Sequence, residues 1–162
     1  MAESKKPIPE HARALGTVPS GLFILTTGRG DAATGALVSF VQQVGFEPPA
    51  VVVAVKAGRP IEALLRDTGR FCLSTLDDSA MVLLRHFAGG FDPGAPAFEG
   101  VETALDPEGL PYLTDALAWM SCRVVGESSW SDHVVFCGAV EHGSRRDEAA
   151  PMVHVRRNGL SY

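Results

Sequence analysis

The chain has 162 residues, 46% of them apolar and 20% charged, with a formal net charge of −5. That length suits one domain with a sizeable core, the composition argues against disorder, and the acidic balance argues against nucleic-acid binding through phosphate contacts. No apolar run approaches the ~20 residues of a membrane-spanning helix, and the charged opening MAESKKPIPEH has no apolar stretch behind it, so neither a membrane span nor a signal peptide is expected.

Residues 1–11 read as a tail and residues 12–162 as a single domain without repeats or linkers. Residues 22–27 (LFILTT) form the first predicted strand, and Gly28-Arg29-Gly30-Asp31 turns it into a second near residues 35–39. From Gly35 to Pro49 (GALVSFVQQVGFEPP), small or uncharged polar residues alternate with apolar ones before a double proline. Small side chains let a planar ligand approach the main chain, and Ser39, Gln42 and Gln43 offer hydrogen bonds without desolvating a charge. The stretch reads as a seat for a polar aromatic cofactor.

The β-branched run at residues 50–56 is a further strand. Pro60 suits the first turn of a helix over residues 61–66, with Ile61, Leu64 and Leu65 on one face and Gly69 as its stop. Residues 71–76 (FCLSTL) form a strand, Asp77-Asp78-Ser79 is expected to cap a helix over residues 80–87, and the Gly- and Pro-rich residues 89–100 form a loop. Long strands follow at 117–125, with Arg123 outward, and at 134–140, entered through Ser131-Asp132-His133; a short one closes the chain at 152–155. Antiparallel-looking strands, two short helices and no βαβ alternation predict a mainly β fold, a β-barrel with short flanking helices.

Cys72, Cys122 and Cys137 lie in apolar segments without CxxC spacing, which predicts reduced, buried thiols in a cytoplasmic protein. The histidines have no metal-ligand spacing, so no metal site is expected. The pairs Arg145-Arg146 and Arg156-Arg157 read as solvated surface charges.

In order and spacing these features resemble the flavin reductase-like family, whose fold is the FMN-binding split barrel. The resemblance runs from about Ala12 to Tyr162. It rests on Leu15-Gly16-Thr17-Val18-Pro19-Ser20-Gly21 before a strand ending in Thr26-Thr27, and on Gly35, Ser39, Val44, Pro48 and Pro49 in a G-x-x-x-S-x-x-x-x-V-x-x-x-PP pattern. Lys56-Ala57-Gly58-Arg59-Pro60, His86-Phe87, Phe98-Glu99-Gly100-Val101, the strand from Ala116 to Cys122 and Ser131-Asp132-His133 continue it. The wording SFVQQVGFEPP and HFAGGF is especially similar to the flavin reductase modules fused to flavodiiron proteins, and a stand-alone version of such a module is expected.

The resemblance implies a split β-barrel that binds FMN or FAD. Leu37, Val38, Ser39, Phe40, Val41, Gln42 and Gln43 would hold the flavin through backbone amides and the Ser39 hydroxyl, with Phe87 against the ring system. Lys56 and Arg59 would take the phosphate, Arg59 joining its guanidinium to the positive end of the helix that Pro60 opens. His133 is the expected catalytic residue, near the flavin face on which nicotinamide stacks. The implied activity is an NAD(P)H:flavin oxidoreductase, a homodimer using NADH or NADPH and supplying reduced flavin or electrons to a monooxygenase or other acceptor. An FMN-binding electron carrier without NAD(P)H activity stays open, as does a barrel that has exchanged flavin for heme. Val41-Gln42-Gln43-Val44-Gly45 and Ser74 depart from the more polar residues of many relatives, which leaves open whether flavin is a prosthetic group or a substrate.

Overall fold

The computed structural model describes residues 7–92, 94–146 and 148–161. Helix α1 (Glu10–Gly16) precedes β1 (Ser20–Gly21), β2 (Phe23–Thr27), a single 3-10 turn (Gly30–Ala32), β3 (Thr34–Val38), β4 (Val41–Phe46) and β5 (Pro49–Lys56). Then come α2 (Pro60–Thr68), β6 (Arg70–Thr75), α3 (Met81–Phe87), β7 (Thr103–Leu105), β8 (Pro111–Leu113), β9 (Ala118–Ser129), β10 (His133–Arg145) and β11 (Val153–His154). No helix among the described residues is long and apolar enough to cross a membrane.

Seven strands form one antiparallel sheet in the order β3-β2-β6-β9-β10-β5-β4. Its two edge strands, β3 and β4, are consecutive in the chain and joined only by Ser39 and Phe40. Such a link reaches about 11 Å at most. The edges are therefore forced together, and the sheet curls into a barrel that closes at this dipeptide.

Leu25, Val53, Phe71, Leu73 and Phe136 fill the interior with Leu65 from α2. A second core, with Leu22, Ile24, Leu76, Leu83, Phe87 and Leu113, joins α3 and the β7–β8 hairpin to the outside of the sheet. Strand β2 sends Leu25 to the first core and Ile24 to the second. Burial on both faces explains why LFILTT does not alternate. Each such fully buried side chain contributes roughly 1.5–3 kcal/mol. Gly138 lies where a β-carbon would meet the Phe71 ring at 2.6 Å, so β10 can cross the interior there only without a side chain.

The β7–β8 hairpin is seated by Asp106, which is 5% exposed. Its carboxylate accepts the amides of Leu110 (2.7 Å) and Glu108 (2.9 Å) and the Ser121 hydroxyl, with the Cys72 thiol at 3.8 Å. Burial pushes this carboxyl up, but the Ser121, Leu110 and Glu108 hydrogen bonds outweigh it, and its pKa lies below the ordinary value.

Helix α2 (Pro60–Thr68) is longer than the predicted 61–66 but is opened by Pro60 and stopped by Gly69, its left-handed C-cap, as the sequence predicts. Three expectations change. Asp77 does not cap α3; its carboxylate accepts the amide (2.9 Å) and hydroxyl (2.5 Å) of Ser79 and closes the turn before the helix. No strand is predicted over residues 41–46, within the Gly35–Pro49 stretch, but one forms there by pairing with β5, with most of its side chains exposed. Strands β9 and β10 run to 12 and 13 residues, longer than predicted, and the exposed C-terminal half of each pairs with the more buried N-terminal half of the other. Helix α1 spans the expected boundary between residues 11 and 12; residues 1–6 and Tyr162 lie outside the described residues.

Candidate functional site

Strand β3 ends in the core at Val38, and the chain turns at Ser39 and Phe40. The Val41 amide donates to the Ser39 carbonyl (3.0 Å), and the Ala54 amide of β5 donates to the Phe40 carbonyl (2.9 Å). This pins the closing corner against β5. Ser39 is 4% exposed there, whereas Phe40 is 38% exposed. Lys56, at the end of β5, pairs with His133 at the start of β10, and the Ala57 amide donates to the Asp132 carbonyl (2.9 Å).

The Phe40 and His133 rings meet edge to face, with centroids 5.3 Å apart and planes at 71°. His133 Nδ1 lies 2.7 Å from the Asp132 carboxylate. This hydrogen bond is the main reason the Asp132 carboxyl sits below its usual pKa. An ionised carboxylate only accepts, so Nδ1 carries the proton and the ring is held in one orientation. Ser39, Phe40, Lys56, Asp132 and His133 thus converge from three parts of the chain.

Arg156 joins them. Its guanidinium donates to the Ser39 hydroxyl oxygen and stands over the Phe40 ring, 4.5 Å from the centroid. The sequence reading of Arg156 as a solvated charge is therefore corrected. Nothing local in VHVRRNG marks it; only the path of the chain brings it to the corner.

Lys56 and Arg59 are exposed on a turn closed by the Arg59 amide and the Lys56 carbonyl (3.3 Å). Neither side chain has a hydrogen-bond or ion-pair partner among the described residues. The start of α2 is less open than the sequence suggests. The Glu62 carboxylate accepts both the Gly58 amide and Arg66 Nη1, each at 2.6 Å. An arriving anion would meet the Lys56 and Arg59 side chains rather than a bare helix terminus.

The other expected site residues divide. Leu37 packs against the second core, and Val38 and Val41 belong to or pack against the barrel interior, so their side chains face away from a surface ligand. Gln42 and Gln43 are exposed on β4, their side-chain amides donating to the carbonyls of Gln43 (3.2 Å) and Gly45 (3.3 Å). Pro60 is exposed at the first turn of α2. Phe87 is corrected: it is 1% exposed, within the second core and edge-on to His86 and Phe91, and has no open face for a ring system.

Cys72 and Cys122 are buried and their thiols are pushed up to about 12, chiefly by burial, while Cys137 is half-buried. Among the described residues, no group of three or more His, Cys, Asp or Glu side chains is placed to hold a metal ion. Two shallow concavities of about 280 and 300 Å³ flank Arg146 and include none of the corner residues. A buried hydroxyl, an exposed aromatic ring, the unpaired outer edge of β4 and two cations without carboxylate partners fit a flat polar ring that carries phosphate.

The family model described as "Flavin reductase like domain" matches residues 15–159. Diflavin flavoprotein A 1 of Synechocystis sp. is 38% identical over 152 residues, which cover 93% of this chain and 26% of that protein. The chain spans about a quarter of the length of the curated relatives it matches. The Streptomyces globisporus NADH:FAD oxidoreductase SgcE6 superposes with a TM-score of 0.80 at 26% identity, over 88% of this chain and 85% of that one. The styrene monooxygenase flavin reductase of Pseudomonas putida S12 gives a TM-score of 0.76 at 26% identity, over 91% and 93%. The chain belongs to the flavin reductase-like family, and its seven-stranded antiparallel sheet is the split barrel of that family.

Proposed function

We propose that this chain is an NAD(P)H:flavin oxidoreductase that binds FMN or FAD at the Ser39-Phe40 corner and passes reduced flavin or electrons to a partner such as a monooxygenase. One observation carries the reading: a buried serine hydroxyl, an exposed phenylalanine and an aspartate-held histidine meet where the barrel closes, next to cationic Lys56. The neighbours lend support, since SgcE6 is named an NADH:FAD oxidoreductase and has been solved with NAD and FAD fragments.

A bound flavin supplies the two-electron chemistry that accepts hydride from a nicotinamide. The chain supplies position. Ser39 and the amides of the β3–β4 link hold the polar edge of the ring, and Phe40 offers it an apolar face. Lys56 and Arg59 hold the phosphate as point charge and fork. His133, oriented by Asp132, lines the nicotinamide side and holds a proton there. Holding both partners in one geometry is the main contribution to rate.

On one chain apolar Val44 (53% exposed) and Phe46 (88%), on edge strand β4, and Trp130 (81%), between β9 and β10, are left at the surface. That supports a homodimer in which a second copy covers these side chains and excludes water. Three free cysteines support a cytoplasmic location.

An anaerobic absorbance titration with FMN, then FAD, against NADH and NADPH tests the reading. A perturbed flavin band followed by bleaching is expected, and the nucleotide that bleaches it is the donor. Binding without bleaching by either nucleotide would instead make the chain an electron carrier. Absence of binding by both flavins would overturn the proposal.

A further inference from the structure

The C-terminal segment crosses the molecule as a strap anchored at both ends. The Met152 amide donates to the Leu76 carbonyl (2.8 Å), β11 pairs with β1 through Ser20 and Gly21, and the Gly159 amide donates to the Ala12 carbonyl (2.7 Å). Gly159 accepts no side chain, because a β-carbon there would lie 2.0 Å from that of Leu15 on α1. Between these anchors Arg156 is half-buried and reaches Ser39 and Phe40.

This contact sets the direction of a hydrogen bond. A guanidinium only donates, so the Ser39 oxygen accepts from Arg156 and its own O–H hydrogen must point elsewhere. The hydroxyl is left as a donor, with a fixed positive charge behind it.

We propose that Arg156 is a positioning residue: it makes Ser39 a hydrogen-bond donor to the flavin and biases the corner toward the reduced, anionic flavin over the oxidised, neutral one. The proposal rests on the flavin reading above. A flavin that has taken two electrons and one proton carries negative charge on its pyrimidine edge. A donor chain backed by a cation strengthens as its acceptor gains negative charge, and a neutral ring gains less from it. The charge stays in place because the strap is anchored on β1 and α1 and the guanidinium rests on Phe40.

The test uses the full chain with FMN, and with FAD should FMN not bind. It measures the dissociation constant of the oxidised flavin and the midpoint potential of the bound flavin, which together report both redox states. R156M is expected to weaken the reduced flavin about tenfold more than the oxidised one, a potential lowered by about 30 mV for a two-electron couple. R156K, which keeps the charge without the planar fork, is expected to restore part of the shift. S39A should match R156M, and the double variant should be no worse than either. S39A and R156K keep the test decisive should R156M fold poorly. An unchanged potential in R156M and S39A, or equal weakening of both redox states, would overturn the proposal and leave Arg156 a structural strap. A wild-type chain that binds neither flavin would overturn the flavin reading itself, and this proposal with it.

Discussion

Asp106 and Asp132 belong to two polar regions of opposite construction. The Asp106 carboxylate is buried and accepts from two amides, one hydroxyl and one thiol, all internal to the chain. Asp132 is exposed and orients His133, whose ring faces Phe40 at the corner. In the first region hydrogen-bonding capacity is used up between β6, β9 and the hairpin. In the second, rings and cations gather at the surface around a buried serine hydroxyl. A buried, satisfied polar network serves the fold, and the surface one is the part proposed above to serve recognition.

The largest expected break in this contrast comes from Asp106→Ala. Removing the acceptor strands buried donors, and a loss of about 3 kcal/mol in urea unfolding is expected. The same carboxylate makes the fold acid-sensitive. Its pKa is lowered in the folded chain, so its stabilisation is present above the ordinary carboxylate range, about pH 4, and is lost as pH falls through the lower folded value. Asp106→Ala should flatten that part of the stability–pH curve; an unchanged slope would assign the acid sensitivity to other carboxylates.

His133→Ala sharpens the contrast from the other side. It should change unfolding stability by less than about 1 kcal/mol, while slowing nicotinamide-driven bleaching of the flavin by about a hundredfold. Flavin affinity should hardly move. Comparable destabilisation by the two variants would erase the distinction between the regions. The smallest effect is in thiol labelling of the native chain. Cys72, beside Asp106, and Cys122 should stay unlabelled because burial pushes their thiols up to about 12, while half-buried Cys137 reacts slowly.

Much of the barrel was legible in the sequence. The apolar runs of β2, β5, β6, β9 and β10 report burial directly, and Pro60 and Gly69 bracket α2. Strand β4 was not, because VQQVGF buries no regular face and owes its conformation to pairing with β5. Helix α1 buries only Ala12 and Gly16, too narrow a stripe to read. Within the site, Ser39 and His133 stood out through their motifs, and the fold brings their neighbourhoods together. Phe87 misled because an aromatic at a helix end is compatible with a ring contact and with a core, and packing against Phe91 and Phe98 decides for the core. Arg156 was illegible for another reason: its contact with Ser39 joins positions 117 residues apart and depends wholly on the strap.

The Ser39-Phe40 link has a thermodynamic consequence. It takes its shape only when the two edges of the sheet have met, so the unfolded or opened chain contains no such corner. Anything that binds there binds the closed barrel alone and resists its opening by mass action, by about 2.7 kcal/mol when its free concentration is a hundred times Kd. Occupancy of the corner and closure of the barrel are coupled equilibria, so a ligand bound there would also slow proteolysis through the opened chain.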